Sequence, residues 1–259
     1  MNLVQDQDLS LPSLALSIRE TLENKGFILI PQFAKDIEDL DELKEVYLDL
    51  CQLVGVPISH DTSDSIIWDI KMNEKSRSFV KTYSEHSHEA EMHTDSQYSE
   101  YPEDFFGLLT IKKANCGGGL SYVLSLDDIL EEFQSNTKNR RYEEILRNTN
   151  YPFIVPNVFK KDNRKEREYN FGPILRDNEI RFRVDTFEKA ILLNPELCTT
   201  DQVEAFKALK KIILNSEKTQ KFYLEDRDLI FINNKTMLHG RSAFEDPERH
   251  LLRIRMNRH

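Results

Sequence analysis

The sequence predicts a mainly β protein with added helices: a double-stranded β-helix, or jelly roll, core with flanking helices. Three observations predict it. Two amphipathic helical stretches open the chain, and after them the sequence breaks into short strand-like runs with helical insertions. Three strand-like runs close it. No repeat, low-complexity tract or Pro/Ser-rich linker divides the 259 residues, so 1–259 reads as a single domain.

Pro12 to Glu23 reads as a helix, with Leu14, Leu16, Ile18 and Leu22 on or near one face. Gly26 to Ile30 is a short buried strand. Asp36 to Val54 is a second helix, with Leu40, Leu43, Val46, Tyr47, Leu50 and Leu53 at helical spacing. After Gly55 the period shortens, and 65–70, 78–83 and 105–112 look like strands. Gly117–Gly119 breaks the chain before a strand at 120–126. Residues 127–134 form a short helix with Asp127 or Asp128 near its cap. Another helix is expected at 142–147 and strands at 152–158 and 179–184. The mixed-charge run 160–168 reads as a solvated loop, with a lid over a pocket as the alternative. Thr199 to Glu217 is a helix capped by Thr199 or Thr200. Strands at 221–224, 228–232 and 250–256 finish the chain.

A formal charge of −10 argues against nonspecific binding to nucleic acid or to anionic membranes, but not against a local basic pocket. Hydrophobic residues make up 39% and charged residues 31%, as in ordinary globular domains. Cys51, Cys116 and Cys198 are widely spaced and odd in number, which suits reduced thiols in a cytoplasm rather than a disulfide framework. The N-terminus lacks the basic-then-apolar pattern of a secretory signal, and no apolar run approaches the length of a membrane span. The composition leaves the oligomeric state open.

His93-Thr94-Asp95, answered much later by His239, is the feature that points to chemistry. In a strand or its extension, residues i and i+2 point to the same side. His93 and Asp95 therefore face one metal while Thr94 points away. His239 lies just beyond the 228–232 strand, near a turn marked by Gly240, and a jelly roll brings such distant strand ends together. Two imidazoles and one carboxylate suit iron(II), take one face of the ion and leave three positions for a chelating co-substrate and dioxygen. An Arg ten residues after the second His, Arg249, fits the capture of an anionic co-substrate. An isolated His-x-Asp recurs by chance. His86 and His88 are competing imidazoles without a matching carboxylate, and they read as loop or pocket-rim residues. His60 and His250 read as surface or packing histidines. Two other classes fit the same residues: a non-catalytic jelly-roll binding or sensor module, and a zinc hydrolase with two His and one Asp, which needs neither Arg249 nor Ser121.

Residues 228–256, DLIFINNKTMLHGRSAFEDPERHLLRIRM, resemble the closing segment of the taurine dioxygenase superfamily of iron(II)/2-oxoglutarate oxygenases. The Asn-Asn-Lys, His-Gly-Arg-Ser-x-Phe and Arg-x-Leu-x-Arg stretches are most similar to the clavaminate synthase-like amino-acid oxygenases. Gly26–Ile30, Val54–Pro57, Glu91–Asp95 and Gly118–Ser121 resemble further elements of that family, in order and spacing. The resemblance is thin between 135 and 198.

The resemblance implies Fe(II) and 2-oxoglutarate as cofactors, with His93, Asp95 and His239 as metal ligands. It implies that Arg249 pairs with the distal carboxylate of 2-oxoglutarate and that Ser121, in place of the common Thr, helps hold it. Arg253 matches an arginine that often meets an anionic group of the substrate. Its even spacing from Arg249 keeps both on one strand face. Asp95 occupies the position that halogenating relatives leave without a carboxylate, so hydroxylation is the expected outcome. Tyr83, Ser84 and Glu85, with Ser87 and Glu89, fall where relatives line the substrate pocket, and acidic groups there suit an ammonium. The expected partner is a small-molecule substrate: an amino acid, free, peptide-linked or carrier-tethered, with a sulfonate or another carboxylate second. The expected products are succinate, CO2 and a hydroxylated substrate.

Overall fold

The computed structural model describes residues 10–59, 65–72, 86–135, 137–155 and 169–259. Helix α1 (Leu11–Lys25) buries Leu14, Ala15, Ile18 and Leu22. It ends at Gly26, whose φ of 79° lies in the left-handed region that glycine adopts without a Cβ penalty. Strand β1 (Phe27–Ile30) comes directly after it and is buried throughout. Helix α2 (Leu40–Val54) starts later than the periodicity suggests, because the Asp39 side chain accepts the backbone N–H groups of Asp41 and Glu42 and caps it there.

Strands β2 (Val56–Ile58), β3 (Trp68–Ile70), β4 (Ala90–His93), β5 (Phe105–Lys112) and β6 (Ser121–Ser125) come next. Helices α3 (Leu126–Gln134) and α4 (Thr137–Asn148) lead into β7 (Tyr151–Ile154), β8 (Tyr169–Gly172), β9 (Leu175–Arg176) and β10 (Glu179–Ile180). Helices α5 (Val184–Leu193) and α6 (Thr200–Asn215) precede β11 (Gln220–Phe222), β12 (Leu229–Asn233), β13 (Met237–Arg241) and β14 (His250–Asn257).

The strands form two main antiparallel sheets. One has the order β1-β12-β5-β14-β2, with β3 also paired to β14; the other has the order β11-β6-β13-β4. Strand alternation sorts side chains between layers. On β12, Leu229 and Phe231 join the core under α1 and α2, while Ile230 and Ile232 point between the sheets. On β14, Leu252, Ile254 and Met256 face those helices, and Leu251 faces the other sheet. On β13 and β6, Met237 and Val123 enter the space between the sheets, while Leu238 and Leu124 pack under α3 to α6. The order is helices, sheet, sheet, helices: a mixed α/β architecture on antiparallel sheets.

Several expectations need correction. Ser125, not Asp127 or Asp128, caps α3: its hydroxyl accepts the Asp128 N–H at 3.1 Å, and the two aspartates sit in the first turn, where the helix dipole favours them. The strand expected at 179–184 stops at Ile180. The alternation of Arg181, Phe182, Arg183 and Val184 runs on outside any strand, with Arg181 bonded to Ile174 and Phe182 to Thr94, into α5, a helix the periodicity did not reveal. His239 does lie beyond β12, but inside strand β13, and Gly240 is a residue of that strand and not a turn. The strand expected at 78–83 and the charged run 160–168 lie outside the described residues. The expected Thr199 cap of α6 is present as a reciprocal capping box with Gln202.

Strand β13 was hidden by Gly240, which reads as a turn. A Cβ there would stand 2.7 Å from the Ala90 carbonyl oxygen, so the missing side chain is what lets β4 and β13 pair. Gly240→Ala is expected to destabilise the fold by about 1–3 kcal/mol, the range for overpacking a close contact. Urea unfolding of the metal-free protein measures it; an unchanged midpoint would show that β4 shifts without cost.

Candidate metal centre

His93 closes β4 and His239 is the third residue of β13, and the two are direct register partners. Their ring centroids stand 4.2 Å apart. Asp95 lies two residues after His93. Its Oδ1 is 3.6 Å from His93 Nε2 and 3.9 Å from His239 Nε2. These separations are too long for hydrogen bonds and suit three donors around one ion. One ligand atom from each residue lies within 4.8 Å of the others, and no other such group of three occurs among the described residues. His86 and His88 are not part of it.

His93 and Asp95 are tied down by hydrogen bonds, whereas the buried Nδ1 of His239 has no hydrogen-bond partner among the described residues. His93 Nδ1 is 2.8 Å from the Glu91 carbonyl, which places its proton there and turns the Nε2 lone pair towards Asp95. Thr94 is pinned to Phe182: its N–H donates to the Phe182 carbonyl at 2.8 Å, and its hydroxyl accepts the Phe182 N–H at 3.1 Å. The side-chain amide of Asn234 accepts the Asp95 N–H at 2.7 Å and donates to the carbonyls of Asp95 and Glu103, both at 3.1 Å. Beyond the triplet, Arg181 donates to the carbonyls of Gln97 and Ser99 and holds the turn.

The electrostatics favour the forms a cation needs. Burial opposes ionising Asp95, but the charge of Arg253, with the His93 contact and the nearby His239, outweighs it. The carboxyl is held well below its usual range, and Arg253 Nη1 donates to Oδ2 at 2.6 Å. Burial and the neighbouring His93 keep His239 well below the ordinary imidazole value, so it is neutral at pH 7 despite the opposing pull of Asp95. Two imidazoles and one carboxylate are a fitting donor set for a divalent transition metal.

A cavity opens beside these residues. His93, Ser121, His239, Arg241, Arg249 and Arg253 supply its polar lining. Arg249 and Arg253 thus reach one cavity, as their even spacing implies, although β14 shifts register between His250 and Leu251. Arg249 is 7% exposed, its guanidinium lies 4.8 Å from the centre of the Phe244 ring, and among the described residues no carboxylate pairs with it. Burial pushes it down to about 10, which still leaves it a cation. A buried cation without a counter-ion calls for an anionic ligand. Tyr83, Ser84 and Glu85 lie outside the described residues, so three of the expected substrate contacts have no place in this geometry.

Sequence reasoning missed the residues that hold the site rather than make it. Asn234 was visible only as part of an Asn-Asn-Lys stretch. Arg241 donates to the carbonyls of His86 and His88 and stacks on Phe244 at 4.6 Å, tying the segment before β4 to the strand of His239. The buried pair of Arg255 and Glu103, at 2.9 Å, had no signal beyond an even spacing from Arg253.

Two antiparallel sheets bring two histidines to one cavity with an uncompensated arginine, and an aspartate to the same histidines, an arrangement that suits a metal ion beside a small anionic ligand. A family model described as "Taurine catabolism dioxygenase TauD, TfdA family" matches residues 1–255, and the chain belongs to that family. No curated protein matches it in sequence. Solved structures share the fold at low identity. An asparagine oxygenase in complex with Fe(II), 2S,3S-3-hydroxyasparagine and succinate has a TM-score of 0.71 at 14% identity, over 95% of this chain and 78% of that one. OrfP, a non-heme iron oxygenase in complex with Fe, succinate and (3S)-hydroxy-L-Arg, gives 0.65 at 17%, over 95% and 84%. PvcB, an Fe, alpha-ketoglutarate dependent oxygenase from an isonitrile synthetic pathway, gives 0.65 at 17%, over 98% and 84%.

Asn234→Ala would orphan one buried N–H and two carbonyls, each worth about 1–3 kcal/mol when left unsatisfied. The expected result is a stability loss of at least about 2 kcal/mol together with weaker Mn2+ binding. Calorimetry on the metal-free and Mn2+-loaded protein checks both. Full retention of Mn2+ affinity would mean that Asp95 does not depend on this clamp.

Proposed function

We propose that this protein is an Fe(II)- and 2-oxoglutarate-dependent oxygenase that hydroxylates an amino acid or an amino-acid-derived small molecule, with release of succinate and CO2. One observation carries the reading: His93 and His239, which cluster with Asp95, share a cavity with Ser121 and the uncompensated cation of Arg249. Neither a zinc hydrolase nor a plain binding module needs Arg249 there. The two antiparallel sheets form the jelly-roll core of this proposal, in a single domain over 1–259. Three cysteines without disulfides support a cytoplasmic setting, and among the described residues no helix is long and apolar enough to cross a membrane.

In this reading His93, Asp95 and His239 hold the iron. The bound iron, with 2-oxoglutarate and dioxygen, supplies the oxidising chemistry that a protein side chain does not. Arg249 pairs with the distal carboxylate of 2-oxoglutarate through its planar fork of donors, and the Ser121 hydroxyl adds one more. Ile70, Phe106, Leu108, Leu224 and Leu251 form the apolar wall, which excludes water and strengthens that ion pair. Phe106 also packs on the His239 ring at 4.7 Å and fixes its tilt. Arg253 remains assigned to a substrate anion.

The amino-acid substrate class is supported by the asparagine oxygenase and OrfP, whose structures hold hydroxylated amino acids. Tyr83, Ser84 and Glu85 keep their assignment as substrate contacts within this proposal.

Anaerobic addition of 2-oxoglutarate to the Fe(II) protein is expected to produce a visible charge-transfer band, and succinate release screened over an amino-acid panel identifies the substrate. Iron bound without that band would contradict the oxygenase reading. Arg249→Leu is expected to weaken 2-oxoglutarate binding by at least about 2 kcal/mol, roughly 30-fold in Kd, with Fe(II) affinity nearly unchanged. Equal loss of both would make Arg249 structural.

A further inference from the structure

The two carboxylate oxygens of Asp95 face different partners. Oδ1 points to the imidazoles, 3.6 Å from His93 Nε2 and 3.9 Å from His239 Nε2. Oδ2 is 2.6 Å from Arg253 Nη1 and takes a charge-assisted hydrogen bond in a buried setting. The backbone on either side of this carboxylate is fixed. The Asn234 amide brackets the Asp95 N–H and C=O, and Thr94 is paired to Phe182. Rotation of the carboxylate about its last torsion would take Oδ2 off Arg253 and leave a buried charge without its partner, which is the expensive way to break such a pair.

Arg253 is itself held. It sits in the middle of β14, with Leu108 across on β5 and Trp68 across on β3. Two residues on, Arg255 points the same way and pairs with buried Glu103 at 2.9 Å. The Glu103 carbonyl is in turn bound by the same Asn234 amide that holds Asp95. The second arginine has its own counter-ion in Glu103, and Arg253 bonds Asp95.

We infer that Arg253 is a positioning residue that restricts Asp95 to one metal-bonding oxygen. This rests on reading His93, Asp95 and His239 as metal ligands. The count of open positions depends on it. Two imidazoles and one carboxylate oxygen leave three of six positions on an octahedral ion; a carboxylate binding through both oxygens leaves two. A co-substrate that chelates through two atoms, and dioxygen, together require three. Arg253 thereby protects the third position, whatever further contact it makes with a substrate anion.

The test uses Mn2+ alone, without 2-oxoglutarate or substrate. Broadening of the Mn2+ electron paramagnetic resonance signal in 17O-labelled water counts metal-bound waters. Three are expected in the wild-type protein and two in Arg253→Gln and in Arg253→Met, with near-ultraviolet circular dichroism confirming that each variant is folded. Arg253→Lys keeps a cation for Oδ2 and is expected to return the count to three. Either folded neutral variant with three waters would overturn the role given to Arg253 and leave the metal site standing. Failure of the wild-type protein to bind Mn2+ would overturn the metal site itself, and this inference with it. A wild-type count of two would show that Asp95 binds through both oxygens despite Arg253.

Discussion

An ionised carboxylate buried between two sheets is tolerable only where opposite charge and hydrogen bonds meet it, and Asp95 is the position around which the surrounding structure is arranged. Arg253 answers its charge, and the Asn234 amide answers its backbone. Each of those residues is then tied to something further. Arg253 is on the interior strand β14, and Asn234 comes just after β12 and also holds the Glu103 carbonyl. Glu103 pairs with Arg255, which returns to β14. The result is a closed ring of buried polar contacts linking the end of β4, the end of β12 and the middle of β14. Partial satisfaction of such a ring would cost more than an apolar core, so its members depend on one another.

The two-residue period of the strands converts this ring into a site. The same alternation that turns Leu252, Ile254 and Met256 towards α1 and α2 turns Leu251, Arg253 and Arg255 the other way. On the facing sheet, the parity that buries Leu238 and Leu124 beneath the later helices leaves His239 and Ser121 on the cavity. A register slip of one residue on β13 or β14 would exchange apolar and functional side chains on every position of that strand. The hydrophobic pattern therefore sets the chemistry indirectly: Leu and Ile on the helix side specify where the arginines and the histidine go.

The parts of this arrangement that were legible in the sequence are those with local periodicity or a short motif. Helices α1, α2 and α6 showed apolar residues at helical spacing, and β5, β12 and β14 showed compact apolar runs. His93 and Asp95 were legible because i, i+2 geometry is local. His239 was legible as a histidine but not as a strand residue, since Gly240 carries the same letter whether it makes a turn or admits a close neighbour. Helix α5 was missed because Arg181 to Val184 alternates like a strand, and the helical period begins only where the alternation ends. Asn234 and Glu103 were not legible because their importance arises from contacts across 131 and more positions of chain. Arg249 and Arg253 had the right spacing and are equally buried, and only the contact with Asp95 separates a guanidinium with a counter-ion from one without.

In the proposed function, a metal on His93, Asp95 and His239 stands beside a dicarboxylate co-substrate on Arg249. Crystals grown anaerobically with Fe(II) and 2-oxoglutarate test it directly, with anomalous diffraction recorded at the iron edge. A single strong anomalous peak is expected among the His93, Asp95 and His239 side chains, with the distal carboxylate of 2-oxoglutarate on Arg249 and Ser121. An anomalous peak elsewhere, or 2-oxoglutarate bound away from Arg249, would contradict it.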